Sequence, residues 1–128
     1  MSRAVLDASA LLALLNQENG GEEVADLVAA GAAISAVNLS EVAAKLSLAG
    51  MPDSLVREAL DTLGLEVVPF DSVAAYRTAL LVGPTRGAGL SLGDRACLAL
   101  ADQLSLPAVT SDRAWRDLGL AVQLRLIR

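Results

Sequence analysis

Residues 4–15 read Ala4-Val5-Leu6-Asp7-Ala8-Ser9-Ala10-Leu11-Leu12-Ala13-Leu14-Leu15. The first three residues are a short apolar run with the character of a buried strand. The last eight are a Leu/Ala-rich run with the character of a buried helix. One carboxylate, Asp7, separates them with almost no loop. An ionised carboxylate avoids apolar surroundings unless a hydrogen bond, a counter-charge or a metal replaces its lost water. The simplest role for Asp7 is therefore the N-cap of the first helix. A second role depends on whether other acids stand at equivalent places along the chain.

Outward from that stretch, apolar runs alternate with helical patterns. Glu22 to Ala30 carries Val24, Leu27 and Val28 at amphipathic spacing, and Gly31 ends it. Ala32 to Ala36 suits a second strand. A helix then starts near Ser35 to Asn38 and runs through Leu48, stopped by Gly50 and Pro52. Asp53 is placed to cap a helix over 54–63, with Leu55, Val56 and Leu60 on one face. Leu65 to Phe70 reads as a third strand, Ser72 to Val82 as a helix, and Gly83 to Gly89 as a loop. From about Ser91 to Leu104 runs the most uniformly apolar helix. A fourth strand over 106–110, a short helix over 113–118 and a last strand over 121–127 complete the chain. This alternation predicts an α/β sandwich: a central, mostly parallel sheet of about five strands with helices on both faces. Ligands of such sheets bind beyond the carboxyl ends of the strands, where Asp7 lies.

A chain of 128 residues makes one domain, 1–128, with a sizeable core, and 54% hydrophobic content excludes disorder. No apolar run approaches the roughly 20 residues that span a bilayer. Asp7 spoils the first apolar block as a signal peptide. The expectation is a soluble, cytoplasmic protein without a membrane partner. The one cysteine, Cys97, cannot form an internal disulfide and reads as core filler.

The chain has no histidine. That removes Ser-His-Asp and Cys-His catalysis and His-Cys zinc sites. Any metal would be held by oxygen, which suits Mg²⁺ or Mn²⁺. The net charge of −5 argues against nucleic-acid binding driven by overall charge. The charge is uneven, however. Residues 1–64 carry nine acids against three bases, and residues 65–128 six acids against seven bases. Nine of the ten bases are arginine, whose planar fork suits phosphate.

Three further acids occupy places like that of Asp7. Glu41, in Asn38-Leu39-Ser40-Glu41-Val42, lies early in the helix after the second strand. On its own it suggests a solvated i,i+4 pair with Lys45. Asp94, in Ser91-Leu92-Gly93-Asp94-Arg95, could close a capping box with Ser91, yet shares a helical row with Leu98 and Ala101. Asp112 follows the fourth strand and could cap the short helix. Each acid has an innocent reading. In a parallel sheet all four share one edge, where mutual repulsion calls for a divalent counter-ion.

Four segments together resemble the PIN-domain ribonucleases, specifically the VapC-type toxins of bacterial toxin–antitoxin pairs. They are Val5-Leu6-Asp7-Ala8-Ser9-Ala10-Leu11-Leu12, Asn38-Leu39-Ser40-Glu41-Val42, Leu90 to Ala101 around Asp94, and Val109-Thr110-Ser111-Asp112-Arg113-Ala114-Trp115. Each is weak alone; four in order across nearly the whole chain are specific. The resemblance implies a PIN-like three-layer sandwich. It also implies an acidic quartet of Asp7, Glu41, Asp94 and Asp112, with Ser9, Asn38 and Ser111 as polar helpers. The implied activity is Mg²⁺- or Mn²⁺-dependent endonucleolytic cleavage of RNA, often structured RNA such as tRNA. A small cognate antitoxin and a homodimer are the implied partners. Asp7 and Asp94 are the first choice for direct metal ligands. Glu41 and Asp112 bind directly or through water, or one of them orients the attacking water. Arg95 and Arg113 are candidates for phosphate contact, against surface salt bridges.

Other readings fare worse. Gly87-Ala88-Gly89 with Gly93 lacks the ending of a P-loop and the spacing of a dinucleotide loop. An aspartyl-phosphate enzyme would want an acid where Ser9 stands. The remaining alternative is a PIN-like protein-binding module without nuclease activity. Leu27 and Val28 with Leu55, Val56 and Leu60 would form its groove, or else simply belong to the core.

Overall fold

Every strand is short and runs into the helix that follows it. The computed structural model describes all 128 residues. β1 (Val5–Leu6) passes through Asp7 into α1 (Ala8–Leu15), and α2 is Gly21–Ala30. β2 (Ala33–Ser35) leads into α3 (Ala36–Leu48), followed by α4 (Asp53–Asp61). β3 (Glu66–Val68) leads to α5 (Ser72–Ala79) and α6 (Leu92–Leu104). β4 (Ala108–Thr110), a 3₁₀ turn (Arg113–Asp117) and β5 (Leu124–Leu126) complete the chain. All strands pair in parallel in the order β3-β2-β1-β4-β5.

Register builds the two cores. Leu6 aligns with Ile34 and Val109 across the three central strands, and Val5 aligns with Ala33 and Ala108. Successive residues of a strand face opposite sides. The Leu6 row therefore packs under Leu11, Val24, Val42, Val56 and Leu60 from α1 to α4. The Val5 row packs under Cys97, Leu98, Ala101 and Trp115 from α6 and the 3₁₀ turn. The result is the three-layer sandwich expected, with α6 the most buried helix. Where α1 meets α2, a Cβ on Gly21 would press into the carbonyl of Ala13, so only glycine permits that approach.

Some boundaries moved. Asp53 is the first residue of α4 rather than its cap, because the preceding Pro52 carbonyl already accepts the N–H groups of Leu55 and Val56. α5 stops at Ala79, and tight turns, not helix, carry the chain through residues 80–89. Val56 and Leu60 lie in the core with Leu27 and Val28 packed against it, which leaves Leu55 exposed and closes the imagined groove. No helix is long and apolar enough to cross a membrane.

The strand order reverses between β1 and β4. Chains leave these two strands for opposite sides, opening a crevice at their carboxyl ends. Asp7 follows one of these strands and Ser111-Asp112 the other.

Candidate active site

Asp7 is 4% exposed at the end of β1. Its Oδ1 accepts the Ala10 N–H at 2.8 Å, the N-cap bond, and the Ser9 hydroxyl at 2.7 Å. Its Oδ2 accepts the Thr110 hydroxyl, donated from the last residue of β4. A second ring of bonds orients the donors. The Ser111 N–H donates to Ser9 Oγ and the Asp112 N–H to Thr110 Oγ1, each at 3.0 Å. Burial raises the Asp7 pKa above its usual value, and the nearby Asp94 charge adds to the rise, despite the three opposing hydrogen bonds. A surface cap would show no such strain. Asp7 is a cap placed inside the protein, in the field of another acid.

Thr110 went unread in the sequence. Its role could have been found from register: because Leu6 pairs with Val109, the next residues, Asp7 and Thr110, stand side by side. Ser111 enters this system through its backbone N–H.

Glu41 and Asn38 sit in the first two turns of α3. Asn38 is 1% exposed, and its Nδ2 donates to Glu41 Oε1 and to the Gly93 carbonyl, both at 3.0 Å. Its Oδ1 is buried without a partner. Glu41 thereby lies across the start of α6, where a Cβ on Gly93 would collide with its carboxylate. The i,i+4 pair with Lys45 does not form; the ion pairs of the chain are Arg125–Glu23 and Arg128–Glu18.

Asp94 does close the capping box: its Oδ2 accepts the Ser91 N–H at 2.9 Å, and the Asp94 N–H donates to Ser91 Oγ at 3.1 Å. It nonetheless contributes to the rise at Asp7. Asp112 is exposed and accepts the Ala114 N–H at 2.9 Å, capping the 3₁₀ turn. Arg95 folds back to donate to the Leu90 carbonyl, and Arg113 donates to the Arg128 carbonyl. Neither arginine forms a salt bridge.

Cys97 reports how the acids converge. Its buried thiol is pushed well above the ordinary range, first by burial and then by the charges of Asp7, Asp94 and Glu41. Asp7, Asp94 and Glu41, from three segments of the chain, thus all lie within electrostatic reach of Cys97, while Asp112 stands at the rim and joins through its backbone. Cys97 itself stays protonated and serves as apolar filler.

No three acidic side chains stand close enough to enclose a cation on their own. That spacing still suits Mg²⁺, which keeps several waters and takes one or two carboxylates directly. The donor set also fits: it is all oxygen, it includes a desolvated carboxylate whose charge lacks compensation, and it holds the orphaned amide oxygen of Asn38.

Comparison with known proteins gives the family and the fold. The family model for the PIN domain matches residues 4–120. Among solved structures, a DNA-bound VapBC from Salmonella typhimurium superposes with a TM-score of 0.77 at 18% identity, covering 100% of both chains. A toxin-antitoxin complex from Klebsiella pneumoniae gives 0.76 at 20% identity, over 98% of each chain. VapBC-5 from Mycobacterium tuberculosis gives 0.59 at 24% identity, over 100% of this chain and 99% of the other. No curated protein sequence matches significantly.

Proposed function

Since the chain belongs to the PIN-domain family, we propose that it is a divalent-metal-dependent endoribonuclease, the toxin of a VapBC-type pair. The observation that carries this reading is the Asp7 carboxylate, buried at the end of β1, held by Ser9, Ala10 and Thr110 without a counter-charge, and lying in the field of Asp94. Uncompensated carboxylates gathered inside a fold cost stability, and a cation is the counter-charge that relieves it.

In this reading Asp7 and Asp94 hold Mg²⁺, or Mn²⁺ in its place. Asp94 has the oxygen not used by the capping box, and Asp7 is fixed in orientation by Ser9, Ala10 and Thr110. When bound, the cation lowers the pKa of a coordinated water and neutralises charge on the phosphate. Glu41, held by Asn38 over the start of α6, is placed to orient the attacking water and accept its proton. Asp112 serves at the rim through water. Without histidine, these carboxylates are the chain's only bases suited to that step near neutral pH.

The structural relatives are toxin–antitoxin complexes, which supports a cognate antitoxin as partner. Val73 and Tyr76 on α5 and Leu80 just after it lie exposed, and we assign this row to a homodimer contact. A monomeric mass by light scattering at working concentration refutes that assignment.

The central test is cleavage mapping on total RNA. Wild type should cut internally with Mg²⁺ or Mn²⁺ and stop with EDTA. Asp94→Asn should fold and lose cleavage by at least about a hundredfold, the upper range for losing even an outer-shell partner of a metal ligand. Equal cleavage by the variant, or none by wild type with either metal, overturns the reading. Wild type that binds its antitoxin yet cleaves nothing would favour a binding module.

A further inference from the structure

Beside the acids lies a cleft of about 340 Å³, lined among others by Ser9, Asn16, Glu18, Lys45, Ser111 and Arg128. Ser9 and Ser111 belong to the hydrogen bonds around Asp7, so the cleft opens directly off the acidic site. Lys45 is the only lysine in the chain and lies one helical turn beyond Glu41, about 6 Å along α3. It forms no ion pair and is exposed. Arg128 is held at the cleft by Glu18 at 3.0 Å, with Arg113 donating to its carbonyl.

In a chain of net charge −5, this cleft holds the unpaired Lys45 beside the Arg128–Glu18 ion pair, with Asn16 and Ser111 as neutral polar groups. The flank beyond Glu41 and Gly93 differs. Val37, Phe70 and Leu92 line it, with no cation among its walls. A polyanion lying across the carboxylates therefore meets cations among the walls of this cleft and none among the walls of the other.

We propose that this cleft binds the phosphodiester backbone flanking the cleaved bond, with Lys45 and Arg128 gripping a neighbouring phosphate of the RNA strand. The inference rests on the nuclease reading above and adds the path of the substrate. RNA is favoured over an acidic protein segment because the cations continue the line of the site at which a phosphodiester must lie.

The test measures binding apart from cleavage. A short, fluorescent, mixed-sequence single-stranded oligoribonucleotide is titrated with the Asp94→Asn chain in EDTA, at several salt concentrations. Adding Lys45→Gln should weaken binding about five-fold, the upper range for one exposed ion pair. It should also flatten the dependence of log K on log salt by about 0.7. Lys45→Arg should restore both. Arg57→Gln, exposed on α4 outside the cleft, supplies the charge-matched control. In the otherwise wild-type chain, Lys45→Gln should raise KM and leave kcat nearly unchanged.

Unchanged affinity and slope in Lys45→Gln, or a loss no larger than that of Arg57→Gln, overturns the proposal. So does weakened binding of a poly-glutamate peptide with RNA binding intact, which assigns the cleft to an acidic protein. If wild type cleaves RNA while Lys45→Gln binds normally, the cleft fails and the nuclease stands. If wild type cleaves nothing while Lys45→Gln loses RNA binding, the nuclease reading fails and the cleft stands.

Discussion

Thr110→Val tests whether Asp7 is held as a charged, buried ligand. Valine keeps the shape of threonine at a fully buried position and deletes one hydroxyl. That hydroxyl donates to Asp7 Oδ2 and accepts the Asp112 N–H. A hydrogen bond to a charged group contributes about 1.5–3 kcal/mol, and an orphaned, half-buried N–H costs about 1 kcal/mol more. The metal-free variant should therefore lose up to about 4 kcal/mol, and at least about 2 kcal/mol once part of the freed N–H is met by water, at neutral pH. At about 4 °C per kcal/mol for a domain of this size, its Tm should fall roughly 8–16 °C. Urea unfolding should show a lower midpoint with an unchanged slope. The loss should also depend on pH. Burial already raises the Asp7 pKa, and losing Thr110, which lowers it, raises it further. As pH falls and Asp7 takes up its proton, the missing bond becomes a neutral one, and the cost should shrink toward about 1 kcal/mol. Thr110→Ser should behave nearly as wild type. An equal loss at neutral and acid pH, or a loss below about 0.5 kcal/mol, refutes the account.

Asp7→Asn should abolish cleavage and yet, without metal, melt above wild type at neutral pH. The folded-state pKa of Asp7 is raised, so its contribution to stability is full below the unfolded value and is lost as pH rises through the folded one. The neutral amide escapes that loss, and thermal melts at neutral and acid pH would expose a destabilised variant. Gly93→Ala should reduce cleavage at least tenfold. The added methyl displaces the Glu41 carboxylate and its Asn38 bond, although alanine is favoured over glycine in a helix interior by about 1 kcal/mol. A Gly93→Ala chain that gains stability and keeps its rate would show that Glu41 is free to move.

The sequence carried the fold because its period signals are strong. Val5-Leu6, Ala33-Ile34 and Ala108-Val109 are uniformly apolar as central parallel strands must be, and the unbroken apolar run from Ala96 to Ala101 marks the helix that lies against the sheet. Boundaries were harder to read. Leu65 and Phe70 flank β3 with β-like residues, yet only residues 66–68 pair, since its one neighbour, β2, is three residues long. Leu80 to Val82 look helical, and turn geometry ends α5 before them. In the candidate site, the acids were legible as types at strand and helix ends. Thr110 was not, because its part depends on lying across the sheet from Asp7. The fold-back of Arg95 onto Leu90 was also invisible, since an arginine beside an aspartate reads first as a charge pair.

The cap readings of Asp7, Asp94 and Asp112 do not compete with the proposed site role of the same acids. Asp7 caps α1, Asp94 closes the box at the start of α6, Asp112 caps the 3₁₀ turn, and Glu41 is fixed by Asn38 early in α3. The unpaired N–H groups and dipole at a helix start favour negative charge. Parallel topology brings those starts to one edge of the sheet. Each acid is thus retained locally by its own segment, at modest cost, while the sum of their charges stays uncompensated. Local capping sets the geometry of the carboxylates before any counter-ion arrives. On the proposed reading a cation would meet a site that needs little rearrangement, and its affinity should fall when a cap is removed even if the carboxylate nearest the ion is untouched. Ser91→Ala isolates this effect. It frees the Asp94 N–H, leaves all four acids in place, and should weaken Mn²⁺ binding by calorimetry about five-fold, the equivalent of about 1 kcal/mol for a lost N-cap. Unchanged Mn²⁺ affinity in Ser91→Ala would separate capping from metal binding and defeat the argument.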